Sequence, residues 1–412
     1  MSDINWAELR NDENQANEYV YQANKLAGIV AANTDVRALT SASNQFAFRL
    51  LGILRDEYPR DNIFFSPLSI AQALSLAMNG AGGLTQEEIR KTLGFDDLTI
   101  GQANMANESI LQTLGDVDPG VSVAVANGIW VDKQATLNQD FTTRCQSHYA
   151  AKVSSLDFQS PSAVSEINDW VADRTQNAIR DIVGPNHLQL GSVVLINTVY
   201  FKGDWSVPFD EEFTRDGNFT RDDGAILTLP MMAQDDSLRY FESSDLQAVS
   251  LPYGCRRLRL DVLIPKPDRT IDFVCRGLDS SRFTGYISEM VTRDVSLLLP
   301  RFTVEYSEDF SGRLESIGMI SSFSAGADFK PMGLPQGFIG GIIHKAVLEV
   351  NELGTMAAAA TETAVAAGLP REPQVTVCVD RPFFCALCDS KTGTILFMGI
   401  IRDPHGIGTG RT

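Results

Sequence analysis

Residues 354–369 of this 412-residue chain read GTMAAAATETAVAAGL, and they restrict the fold more than any other stretch. Strand-patterned segments flank them on both sides, yet they hold almost nothing that could anchor a core. By composition alone they read as a flexible surface loop or as an alanine-rich helix, since alanine is the best helix former. Their alternation opens another reading. One phase, Thr355, Ala357, Ala359, Thr361, Thr363, Val365 and Ala367, is small and uncharged. The other, Met356, Ala358, Ala360, Glu362, Ala364 and Ala366, holds the only charge. In a strand, the first set could be buried while Glu362 points outward. No proline interrupts before Pro370, so such a strand could lie in the middle of a sheet. The segment is compatible with two states, an exposed loop and a central strand.

The rest of the chain orders helices first and strands later, without a repeat and without a Ser/Gly/Pro linker. That pattern predicts an α+β fold in one cooperative unit. Residues 1–40 are polar, with apolar positions at helical spacing from Tyr19 to Val30; they predict an amphipathic helix or a disordered arm. Ser43 reads as the N-cap of a helix over 44–58, closed by Pro59. Ser66 and Pro67 open a second helix, and Thr85 with Glu88 has the spacing of a capping box. Residues 162–183 read as helix, 193–201 as a strand covered on both faces, and 310–317 as a short helix.

Composition excludes several function classes. The net charge of −18, from 34 basic and 52 acidic side chains, disfavours nucleic acid and anionic membranes. No Lys or Arg occurs from Thr92 to Asp132, so no heparin-like polyanion site is expected there. No apolar run is long enough to cross a bilayer, and the N-terminus lacks the pattern of a signal peptide. Cys385 and Cys388 have redox-motif spacing, but their apolar surroundings predict buried, reduced thiols on a strand. No histidine pair has metal-ligand spacing and no G-x-S-x-G elbow is present. Neither an enzyme nor a cofactor or metal site is expected.

Several motifs in a fixed order resemble the serpin family. GTMAAAAT, from Gly354 through Thr355, Met356, Ala357, Ala358, Ala359 and Ala360 to Thr361, is similar to the hinge of an inhibitory serpin's reactive loop. IHKAVLEVNELGT is similar to the strand leading into it, and RPFFCALCDSKTGTILFMGIIRDP to the C-terminal strand pair. NIFFSPLSIAQALSLAMNGAGGLTQEEI, INTVYFKGDWSVPF, LPRFTVEY and GADF resemble further family segments. The resemblance runs from about residue 43 to 404. It implies a serpin fold with three β-sheets, about eight to nine helices and an exposed reactive-centre loop at about 354–373. An extension over 1–42 would precede this single domain, and a flexible tail over 405–412 would follow it.

The resemblance also implies a function. A serpin of the inhibitory type is a suicide substrate: a serine protease cleaves the loop, forms an acyl-enzyme, and is trapped as a covalent 1:1 complex when the loop enters the sheet. Such a chain is a monomer and an inhibitor of endopeptidases rather than an enzyme. Counting from the hinge places the scissile bond between Gly368 and Leu369, with Ala367 and Arg371 as alternatives. The small residues before it suit an elastase- or subtilisin-like protease. Ser66, Ser69, Asn197 and His344 match the family's polar cluster beneath the sheet. Trp205, Arg301 and Glu352 match positions where insertion begins. Met356 and Leu353 depart from the family pattern without placing bulk or charge on the inward phase. The alternative is a non-inhibitory serpin acting as a carrier or chaperone. By family, the site of action is extracellular; reduced thiols and the absent signal peptide leave the cytoplasm as the alternative.

Overall fold

The computed structural model describes residues 13–115, 120–355, 375–405 and 408–409. The helices are α1 (Glu13–Ala32), α2 (Thr34–Glu57), α3 (Pro67–Gly80), α4 (Gly83–Leu93), α5 (Ile100–Gly115), α6 (Gln139–Tyr149), α7 (Ala163–Arg174), α8 (Ile271–Arg276), α9 (Ser280–Glu289) and α10 (Ser311–Ser316). The strands are β1 (Ile63–Phe65), β2 (Val121–Asp132), β3 (Lys152–Leu156), β4 (Val193–Asp204), β5 (Arg215–Thr220), β6 (Ile226–Glu242), β7 (Leu246–Pro252), β8 (Leu258–Pro265), β9 (Val291–Pro300), β10 (Phe302–Asp309), β11 (Ile339–Val350), β12 (Gly354–Thr355), β13 (Val375–Cys378), β14 (Phe383–Asp389), β15 (Ile395–Ile401) and β16 (Gly408–Thr409). The α+β class stands. Ten helices lie among the described residues against the eight to nine expected, the excess including α1 and the six-residue α8 and α10.

Two hydrogen-bonded sheets, not three, hold these strands. One runs β16-β10-β11-β12-β4-β2-β3; the other runs β1-β15-β14-β8-β7-β6-β9-β13, with β5 beside β6. The count falls because β6 is one continuous strand that changes partners. Its opening stretch pairs with β5 as far as Met231, where pairing with β9 takes over up to Tyr240. Two expected sheets are thereby joined through a shared backbone.

The first sheet lies between two helical layers. Helix α3 is small or apolar except at Gln72 and Asn79, and every residue of it is buried, as expected of a core helix. Ser66 caps it by accepting from the Ser69 N–H at 3.3 Å, with Pro67 at the first helical position. On β4, Val193, Leu195, Val199 and Phe201 join the main core. Val194 and Ile196 pack instead with Ile167, Val171 and Ile179 around α7. Both faces of β4 are therefore covered, as its unbroken apolar run predicts.

Three local expectations need correction. Asn33, not Ser43, caps α2: its side chain accepts from Asp35 and Val36, while Ser43 is buried mid-helix. Thr85 and Glu88 form no capping box, since α4 starts at Gly83; their oxygens hold the Asp328 and Ser321 backbone N–H groups. The helix expected over 162–183 stops at Arg174, because Gln176, Asn177 and Asp181 take positive φ. The thiol reading agrees with the structure: Cys385 and Cys388 are buried in β14, and burial pushes the Cys385 thiol up to about 12.

Candidate functional site

The centre of the first sheet contains a mismatch in strand direction. β4 and β11 run parallel and pair directly, from Ile339 opposite Val193 to Val347 opposite Tyr200. Each has an antiparallel neighbour on its other side, β2 and β10. Above Val347 the two strands diverge, and β12 enters between them antiparallel to both. Thr355 pairs with Val350 on one side and Gly203 on the other.

The turn that feeds β12 is closely fitted. The Asn351 side chain accepts from the Leu353 and Gly354 N–H groups, both at 3.1 Å. Gly354 has φ +149°, and a Cβ there would lie 2.1 Å from the Gly203 carbonyl oxygen, so only glycine fits. Trp205 fastens the turn twice, with Nε1 donating to the Asn351 carbonyl and its backbone N–H to that of Leu353, each at 2.9 Å. Thr355 is fully buried, and its hydroxyl is 2.8 Å from that of Tyr253. Tyr253 stacks on Trp205 at 4.1 Å and meets the edge of Phe201 at 4.9 Å. Burial raises the Tyr253 hydroxyl far above its ordinary pKa, so it stays protonated. Its sequence context, a strand end, gives no sign of this role.

Glu352 sits beside the turn with a 3 % exposed side chain and bonds to Arg301, whose side chain is 46 % exposed. The Thr214 hydroxyl donates to the same carboxylate oxygen at 2.7 Å. Burial pushes the Glu352 carboxyl up, but hydrogen bonds from Arg301 and Thr214 outweigh it and hold the group below the ordinary carboxylate value. Arg301 and Glu352 are thus brought together as the sequence implied; Thr214 was not foreseen.

A buried polar row crosses the sheet lower down. Asn127 on β2, Asn197 on β4, His344 on β11 and Glu308 on β10 are register neighbours. Asn197 donates to Asn127, and Asn127 donates to Gln72 of α3 at 2.9 Å. His344 Nε2 accepts from the Ser66 backbone N–H at 3.0 Å, so the ring proton is on Nδ1, which faces the Asn197 side-chain oxygen at 3.3 Å. Burial lowers the imidazole pKa to about 3, which keeps it neutral. Ser66, Asn197 and His344 form one network. Ser69 joins through its backbone N–H rather than its hydroxyl. Asn127 and Glu308 were missed because only strand register brings them into the row, and Gln72 because only the packing of α3 on the sheet brings it to Asn127.

The remaining hinge residues, Met356, Ala357, Ala358, Ala359, Ala360 and Thr361, lie outside the described residues. So do Ala367, Gly368, Leu369 and Arg371. Among the described residues no helix is long and apolar enough to cross a membrane.

Comparisons with known proteins show the family and the fold. The family model Serpin (serine protease inhibitor) matches residues 41–404. The chain is similar to a serine protease inhibitor of Cyanea capillata, 32% identical over 374 residues, covering 88% of this chain and 98% of that protein. It is also similar to neuroserpin of Gallus gallus, 33% identical, with 86% and 89% covered. Among solved structures it matches human thyroxine-binding globulin complexed with thyroxine. There the TM-score is 0.83 and the identity 27%, over 90% of this chain and all of that one.

Proposed function

The chain belongs to the serpin family, and from that premise we propose that it inhibits serine proteases as a suicide substrate. The observation that carries this reading is the parallel β4–β11 pair with Thr355 already seated between the strands at its top. A strand continuing from Thr355 would run antiparallel to both neighbours, replacing one parallel ladder by two antiparallel ones. Parallel pairing is slightly weaker per residue, so the closed sheet leaves a better arrangement unfilled. A net gain of about ten hydrogen bonds at about 1 kcal/mol each is on the order of 10 kcal/mol. That rivals the stability of an ordinary domain, so the uncleaved form is held kinetically.

Cleavage frees the loop to follow Thr355 into the sheet. The hinge sequence permits this, since its inward phase is small and uncharged from Thr355 to Ala367. The acyl-enzyme made by the protease's own catalytic serine would then be carried along before water released it, leaving a covalent 1:1 complex with a monomeric inhibitor. Cleavage between Gly368 and Leu369, after Ala364, Val365, Ala366 and Ala367, fits an elastase- or subtilisin-like target with a shallow primary pocket; Arg371 would serve a trypsin-like one. A carrier role, favoured by the structural match to thyroxine-binding globulin, is the second reading. Secretion fits the family reading, and the buried thiols fit a reducing compartment equally well.

Incubation with elastase, subtilisin and trypsin, followed by denaturing electrophoresis and N-terminal sequencing of the released peptide, tests the proposal. A stable complex with elastase or subtilisin and a new N-terminus at Leu369 are expected. Complete cleavage without complex would leave the carrier reading.

A further inference from the structure

We propose that a groove at one end of the second sheet binds a compact oxyanion, a phosphate or sulfate group that is free or carried on a short chain. The cavity measures about 450 Å³ and is lined by Arg239, Arg256 and Arg259, with Thr292, Ser250 and Ser390 between them. Strand register builds it. Thr292 of β9 is opposite Arg239 of β6, Arg239 opposite Ser250 of β7, and Pro252 of β7 opposite Arg259 of β8. Opposed residues project from the same face, so Arg239, Arg259 and Thr292 share one surface, while the buried Ser250 hydroxyl bonds Asp261.

Three arginines share this cavity in a chain of net charge −18; Arg49, Arg144 and Arg282 also bond backbone carbonyls, so it is the convergence that marks the groove. Arg221, Arg257, Arg269, Arg301, Arg313 and Arg402 each hold a carboxylate. Arg259 does too, with Nε 3.0 Å from both oxygens of the fully buried Asp261. Arg239 and Arg256 form no ion pair among the described residues. Arg239 donates only to the Ile287 carbonyl, at 2.6 Å. Arg256 is held at φ +70° in the β7–β8 turn, a left-handed conformation that a long side chain rarely adopts. One carboxylate, Asp236, also lines the groove; it accepts from the Ser237 N–H and bridges to neither arginine.

Two guanidinium forks without a carboxylate partner among the described residues, lining one cavity with the Thr292 and Ser390 hydroxyls, suit a tetrahedral oxyanion. Asp261 fixes Arg259 as the floor and leaves Arg239 and Arg256 as the clamp. The surrounding negative surface would repel an extended polyanion, which limits the ligand to one compact group.

The test titrates the full chain with inorganic phosphate, inorganic sulfate and a sulfated disaccharide at constant ionic strength, read by calorimetry and by thermal midpoint. Saturable one-to-one binding of at least one probe is expected. The Arg239→Ala, Arg256→Ala double variant should weaken it about tenfold or more, while Arg221→Ala, elsewhere on the surface, should bind as the unaltered chain does. Preference for the inorganic ions over the disaccharide assigns a free ligand, and the reverse assigns a carried one. Absence of saturable binding by all three probes, or wild-type affinity in the double variant, would overturn the proposal. No protease enters the assay, so its outcome is independent of the inhibitory reading.

Discussion

Replacing Thr355 by arginine should leave loop cleavage intact but convert trapping into simple hydrolysis. Thr355 is fully buried between β4 and β11, with its hydroxyl on that of Tyr253, whose ring stacks on Trp205. Among the described residues, the side-chain partner of that hydroxyl is a phenol and no carboxylate bonds to it. A guanidinium in Thr355→Arg would be expelled from the sheet or buried without a counter-ion, at several kcal/mol. The proposed insertion passes this residue first. Slowing it by even about 3 kcal/mol reduces the rate more than about 100-fold, which lets deacylation win. The assay is the ratio of covalent complex to cleaved inhibitor on a denaturing gel at fixed protease concentration. Glu362→Arg, in the outward phase, is the control and should stay near wild type. Complex formed by Thr355→Arg at wild-type yield would refute insertion through Thr355.

Cutting the loop between Glu362 and Leu369 should raise the thermal midpoint by roughly ten degrees or more, as about 10 kcal/mol implies for a chain of this size; an unchanged midpoint in scanning calorimetry counts against insertion. Glu352→Lys removes the carboxylate that Arg301 and Thr214 hold beside the turn. It should promote spontaneous insertion or polymers, visible by size-exclusion chromatography, and monodisperse, fully inhibitory protein would show that the pair restrains nothing. His344 and Glu308 pull in opposite directions with pH. His344, lowered from 6.5 to about 3, loses its contribution as pH falls below 6.5, because the unfolded chain takes up a proton that the native one refuses. Glu308, raised from 4.5 to about 7 chiefly by burial, contributes fully below pH 4.5 and loses this as pH rises toward 7. Each slope is at most about 1.4 kcal/mol per pH unit. Denaturant midpoints between pH 7 and 5 should therefore fall more steeply in Glu308→Gln and rise in His344→Gln; identical slopes in both would exclude this account.

What could be read from the sequence depended on whether a residue's partner lay nearby in the chain. Helix α3 and strand β4 were legible because their apolar residues state the burial of each face directly. The start of α2 was not, because Val36 and Leu39 continue the apolar face upstream of Ser43 and Asn33 supplies an equally good cap. The Thr85 and Glu88 spacing was right for a capping box, but the loop carrying Ser321 and Asp328 takes both side chains, over more than 200 residues of separation. Of the hinge phase read from alternation, Thr355 alone lies among the described residues, and it is buried. Tyr253, Thr214 and Asn127 were not, since each meets the site only through folding, and nothing in their own segments marks them.

The polar row beneath the hinge also acts as a registration key. Apolar strands slide past one another in two-residue steps without changing which face is buried. Sliding β11 by two residues against β4 would set His344 opposite Leu195 or Val199 instead of Asn197. The imidazole proton and the Asn197 side-chain oxygen would then each face hydrocarbon, and Ser66 would lose its acceptor. Only one alignment of the two central strands satisfies all of these groups, so the sheet can open by separation but not by slippage. Under the proposed inhibitory mechanism, central strands that part without admitting a loop would thereby close again in the same alignment.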